Sequence, residues 1–142
     1  RRHIINLWQE QDFIESKGLN PCAYETIWSV RGEYLDLHLN QRSNDYIMAG
    51  FINKIQYVCL QMMIAKSLGY KIGKFSHYVQ NLHIYDRHIE AANELLNKES
   101  LDTQPYITLD IVKDFYEYNV TDFKIFDIEN ITKIKSELEI AI

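Results

Sequence analysis

Cys22, Arg42 and Ser43 are the residues whose types could do chemistry together, and Arg1 and Arg2 add two cations at the start of the chain. A cysteine attacks as thiolate, and a nearby cation lowers its pKa from about 8.5 into roughly the 3.5–7.5 range. A fixed guanidinium also matches the geometry of a phosphate. One reading is therefore covalent chemistry on a phosphorylated substrate, with Cys22 as nucleophile and Arg42 and Ser43 as an anion clamp. The plainer reading is a small buried thiol, a solvated strand end and a surface charge pair.

Other polar residues extend the pattern. Asp45 reads most simply as the cap of a following helix, because carboxylates favour helix N-termini. Asn53 is polar within an apolar helical run. It either faces solvent or offers a ligand both a donor and an acceptor, as the O4 and N3–H edge of uracil requires. His83 and Tyr85 point the same way on an alternating strand, where they suit sugar hydroxyls or ordinary packing. Cys59 lies among apolar residues and reads as core. The five histidines, His3, His38, His77, His83 and His88, have no zinc-like spacing with acidic or thiol partners, so no metal is expected. The glycines form no dinucleotide or P-loop pattern.

These groups meet only if the chain folds them together. Residues 22–43 read as a β-hairpin turning at 31–33, with Thr26 and Trp28 alternating on one strand and Leu35, Leu37 and Leu39 on the other. That turn places Trp28 beside Leu35 or opposite Asp36, and Cys22 opposite Gln41 or Arg42. A helix is expected over 45–69, with Ile52, Ile55, Cys59, Met62 and Met63 at helical spacing and Gly69 as its stop. Strands are expected at 3–7, 73–84, 105–112, 123–127 and over 137–142, a helix at 87–98, and a loop at 9–20. The elements mix without strict alternation, which points to an α+β fold with a mixed β-sheet and flanking helices.

At 142 residues the chain suits one domain with a real core, and 46% hydrophobic residues exclude disorder. A net charge of −5 argues against DNA binding. No apolar run approaches the roughly 20 residues of a membrane span. Two cysteines without a CxxC pattern read as reduced thiols in a cytoplasmic protein. The chain opens inside a strand with no initiating methionine, so it is expected to be an N-terminally truncated fragment.

The run NPCAYETIWSVRGEYLDLHLNQRSNDYIM, with FINKIQY, QNLHIYDRH and the closing IKSELEIAI, resembles the thymidylate synthase family from end to end. The likeness implies that residues 1–142 are the C-terminal part of a single thymidylate synthase-like domain. It implies conversion of dUMP to dTMP with 5,10-methylenetetrahydrofolate as co-substrate and no metal. Cys22 would add to the uracil ring with Arg42 close by. Gln41, Arg42, Ser43, Asn53, His83 and Tyr85 would bind dUMP. Asp45, Gly50 and the Ile142 carboxylate would meet the folate. Arg1 and Arg2 would reach the phosphate in the other subunit of a homodimer. The chain departs from the family pattern at Ala23, usually histidine, at Met48 through Ile52, usually Leu-Gly-x-Pro-Phe, and at Asn81, usually aspartate. The family's N-terminal half supplies a catalytic glutamate, a proton-abstracting tyrosine and a folate-stacking tryptophan, so the fragment alone is expected to be inactive. Two other readings stand beside this one: a dCMP hydroxymethylase-like relative, which uses aspartate at the place of Asn53, and a non-catalytic homologue that only binds nucleotide.

Overall fold

A computed structural model describes residues 3–14, 18, 20–99, 101–128 and 133–140. Strands β1 (His3–Asn6), β2 (Ala23–Arg31), β3 (Tyr34–Asp45) and β4 (Lys71–His83) form one sheet in that spatial order. Helix α1 (Gly50–Ser67) connects β3 to β4. Helix α2 (Ile89–Asn97) follows, and β5 (Tyr106–Leu109) and β6 (Phe123–Phe126) make a small separate ribbon. Pairing is antiparallel across β1–β2–β3 and parallel between β3 and β4, so the sheet is mixed and the α+β expectation is met. Among the described residues no helix is long and apolar enough to cross a membrane.

The hairpin owes its register to Gly32, whose φ of +62° suits the first position of a two-residue loop between Arg31 and Tyr34. Trp28 therefore pairs with Leu37, not with Leu35 or Asp36. A β-bulge between Ala23 and Glu25 then restores the expected far end, where Ala23 pairs with Gln41 and the Arg42 amide donates to the Cys22 carbonyl at 2.8 Å.

One sheet face packs on α1. Trp28, Leu35 and Leu37 meet Ala65 there, with Tyr57, Leu60, Ile64 and Phe75 around them. Gln61 is buried in this apolar layer for a specific reason. The β3–β4 ladder is irregular between Leu35 and Leu37, and the Gln61 amide donates to the carbonyls of Leu35 (2.8 Å) and Lys74 (3.2 Å) that the gap exposes. Asp36 fills the same gap by accepting from the Lys74 amide. That bond, then Arg31, holds its carboxyl below the usual range.

Several expected boundaries shift. The helix starts at Gly50, because residues 46–49 form a separate turn and Asp45 still belongs to β3. Ile52 and Ile55 are 64% and 57% exposed; of the expected apolar positions Met62 is buried, and Ala65 is buried with it. The 105–112 strand is confined to Tyr106–Leu109, and residues 137–140 are not strand. The accessible surface is 10760 Å², against roughly 7,700 Å² for a self-contained monomer of this mass. Phe51, Ile52 and Ile55 together form one of the apolar faces left open.

Candidate active site

The site lies where the C-terminal ends of β3 and β4 meet the start of α1. The parallel register sets Asp45 beside His83, and the Tyr46 amide donates to the His83 carbonyl at 2.9 Å. A cleft of about 700 Å³ opens there. Its walls include Cys22, Gln41, Arg42, Ser43, Asp45, Asn53, His83 and Tyr85. Arg42 is the one arginine or lysine among the described residues lining it.

Cys22 is half-buried, with Sγ 4.0 Å from the Asn20 carbonyl oxygen. Arg42 fixes the loop that carries it. Nε donates to the Pro21 carbonyl (3.1 Å) and Nη2 to the Asn20 carbonyl (2.8 Å), while the guanidinium rests 5.7 Å over the Trp8 ring. Three of its five N–H groups stay available to an anion. The Ser43 hydroxyl makes no hydrogen bond among the described residues.

Behind the thiol runs a chain of neutral polar groups. Gln41 is 1% exposed. Its amide NH₂ donates to the Ser43 carbonyl (2.8 Å) and to Asn53 Oδ1 (3.1 Å), which leaves its Oε1 to accept from His77 Nε2 (2.8 Å). His77 must therefore carry its proton on Nε2. Burial, then Lys54 and His38, push the His77 pKa down. Asn44 Nδ2 also donates to Asn53 Oδ1, at 3.0 Å. With Oδ1 taken by two donors, Asn53 has its NH₂ left for a ligand.

At the other wall, Asp45 Oδ1 accepts from the amides of Ile47 (3.2 Å) and Met48 (3.3 Å). It caps the 46–49 turn, not α1, whose N-cap Ala49 has no side-chain hydrogen bond. His83 and Tyr85 stack edge to face, 4.8 Å between centroids. His83 Nδ1 donates to the Asn81 carbonyl at 3.3 Å, which makes Nε2 an acceptor when the ring is neutral.

Three expected site residues, Arg1, Arg2 and Ile142, lie outside the described residues. Ile140, two positions before Ile142, does line the cleft. Gly50 lines a second, smaller cleft with Lys54 and His77, and a Cβ there would come 3.1 Å from the Tyr46 ring. Met48 and Ala49 line the main cleft. Burial raises the Cys59 thiol pKa, in keeping with a core role. Among the described residues no cluster suits a metal ion.

Sequence reasoning assigned no role to Asn44 or His77. The signal for His77 was available in strand parity, since it shares a face with Phe75 and Gln41. Asn44 left no signal, because its partner sits on the next element.

A family model described as thymidylate synthase matches residues 1–140. The thymidylate synthase of Lactococcus lactis subsp. lactis is 46% identical over 149 aligned positions, covering all of this chain and 53% of the relative. That of Streptococcus gordonii is 45% identical, with the same 53% of its length covered. The solved thermostable thymidylate synthase A from Bacillus subtilis superposes with a TM-score of 0.81 at 34% identity, over 97% of this chain and 49% of that one. This chain thus spans about half the length of the relatives it matches, and it belongs to the thymidylate synthase family.

Proposed function

We propose that the complete protein carrying this chain converts dUMP to dTMP, with 5,10-methylenetetrahydrofolate as carbon and hydride donor and dihydrofolate as product. The observation that carries the reading is one cleft wall holding a thiol, an arginine–serine pair and an oriented amide. Arg42 and Ser43 bind the phosphate. His83 Nε2 and the Tyr85 hydroxyl meet the deoxyribose. The Cys22 thiolate then adds to C6 of uracil, and the C5=C6 π electrons move onto C5 and O4. Asn53 Nδ2 donates to O4, where that charge develops. C5 forms the new bond to the one-carbon unit supplied by the folate, the bond from that carbon to folate nitrogen breaks, and hydride from the folate completes the methyl group. Asp45 faces the folate ring, with Met48 and Ala49 beside it. The C5 proton leaves to a base from outside this chain, and re-forming C5=C6 expels Cys22 as thiolate.

A dianionic phosphate facing a single lining arginine favours further cations. Arg1 and Arg2 of a second subunit supply them in a homodimer. The sheet face opposite α1 presents the row Ile4, Ile27, His38 and Ser76, a surface that a second copy would cover. The protein works in the cytoplasm on free nucleotides.

The cytosine-specific alternative meets an obstacle at Asn53. With Oδ1 already accepting from Gln41 and Asn44, the side chain presents a donor, which suits O4 of uracil and opposes the 4-amino group of cytosine. The non-catalytic alternative gives no chemical reason for Cys22 beside Arg42. Incubation of the complete protein with 5-fluoro-dUMP and methylenetetrahydrofolate tests the proposal, because fluorine cannot leave C5 as a proton does. The expected result is a covalent adduct on the Cys22 peptide by mass spectrometry. A competent, folded protein that forms none contradicts the reading.

A further inference from the structure

His88 is 0% exposed and has no part in the chemistry above. It ends the 3-10 turn Asp86–His88, just ahead of α2. Its Nε2 lies 2.9 Å from the Glu139 carbonyl oxygen, its Nδ1 lies 3.3 Å from Asp45 Oδ2, and its ring meets Tyr85 edge-on at 6.1 Å. Asp45, Tyr85 and Ile140 all line the cleft, so one buried imidazole touches two of these residues and the neighbour of the third.

The protons follow from the partners. A main-chain carbonyl only accepts, so Nε2 carries a hydrogen and donates it. Nδ1 is buried and makes no hydrogen bond among the described residues, and Asp45 Oδ2 lies within ion-pair distance of it. Asp45 Oδ1 is already engaged by two amides, so Oδ2 is the oxygen His88 controls.

The same ring holds the C-terminal segment. Glu94 secures its first part through the amides of Lys135 and Ser136. At Glu139 the competing tie is the Arg87 pair at 3.9 Å, whose side chains are 47% and 80% exposed and contribute little. The buried Nε2–Glu139 bond is the stronger anchor there.

We infer that His88 is a positioning residue for the co-substrate end of the cleft: its buried ring backs the Asp45 carboxylate, and through Nε2 it fixes the backbone that presents Ile140. The inference rests on the reading of Asp45 as the residue that faces the folate. Two tests bear on it. Ring nitrogen NMR of the ligand-free complete protein should show a hydrogen on His88 Nε2 at neutral pH, and Asp45→Asn should move the Nδ1 resonance. An unprotonated Nε2 in the unmodified protein, or no change at Nδ1 on Asp45→Asn, overturns it. In steady-state kinetics, His88→Ala should raise KM for methylenetetrahydrofolate about tenfold, with KM for dUMP within about twofold. His88→Gln, which still donates to Glu139, should recover part of the loss and serves where the alanine variant does not fold. Equal changes in both KM values, or none, overturn it. Absence of a Cys22 adduct in the unmodified protein would refute the functional reading alone, and the NMR result would still decide the state of His88.

Discussion

Two polar networks share one cleft and are built on opposite principles. Around Asn53 every member is neutral: three carboxamides and a histidine whose pKa is pushed down. Around Asp45 a carboxylate faces a buried imidazole 3.3 Å away. A neutral network costs less to bury and reads a ligand by the direction of its donors. A largely buried carboxylate costs more and holds a ligand or a segment by attraction. On the proposed function, discrimination and grip fall to different walls: the amide wall would choose the base, and the wall at Asp45 would hold what lies over it.

The sharpest way to break the comparison is to put a charge into the neutral wall. Asn53→Asp should reverse the order of base preference, lowering the ratio of dUMP to dCMP affinity by about 10²-fold or more in calorimetric titrations. Gln41→Leu should come next. It leaves the Ser43 carbonyl and the His77 donor without partners, so dUMP binding should weaken roughly tenfold and stability fall by about 1–3 kcal/mol in chemical denaturation. Arg42→Ala removes the anion contact and the two carbonyl contacts that shape the loop at Asn20 and Pro21. Weaker dUMP binding, by about tenfold, should appear with faster amide exchange at Asn20 and Cys22. The smallest effect sharpens the comparison by pH. The folded pKa of His77 lies below its unfolded value near 6.5, so the stability from keeping it neutral is complete above about pH 6.5 and is lost as pH falls toward the folded pKa. The denaturation midpoint should therefore drop between pH 7.5 and 5.5, and drop less in His77→Gln.

The hairpin shows how far sequence carries this molecule. Period-2 alternation located both strands, because one buried face imposes it. The register was legible only at its far end. The Gly32 loop is tighter than the 31–33 turn, which shifts Trp28 to Leu37, and the bulge at Ala23 to Glu25 shifts it back, so Cys22 still meets Arg42. A bulge leaves no mark in the alternation beyond a single extra residue. Ile52 and Ile55 misled the helix reading because apolar spacing reports a face that something covers, not what covers it. Asp45 was recognised as a cap, but of the wrong turn, since side-chain capping looks the same one turn earlier. The contacts of His77 and His88 were illegible. Their partners lie 36 and 51 positions away, at separations that no local pattern encodes.

The central claim is that this cleft reads uracil through a fixed amide. Parallel titration of the complete protein with dUMP and dCMP, at one pH and ionic strength, tests it most directly. The account predicts that dUMP binds at least about tenfold more tightly, because Asn53 offers its donor to O4 while the cytosine amino group meets another donor. Equal affinity, or tighter binding of dCMP, would contradict it.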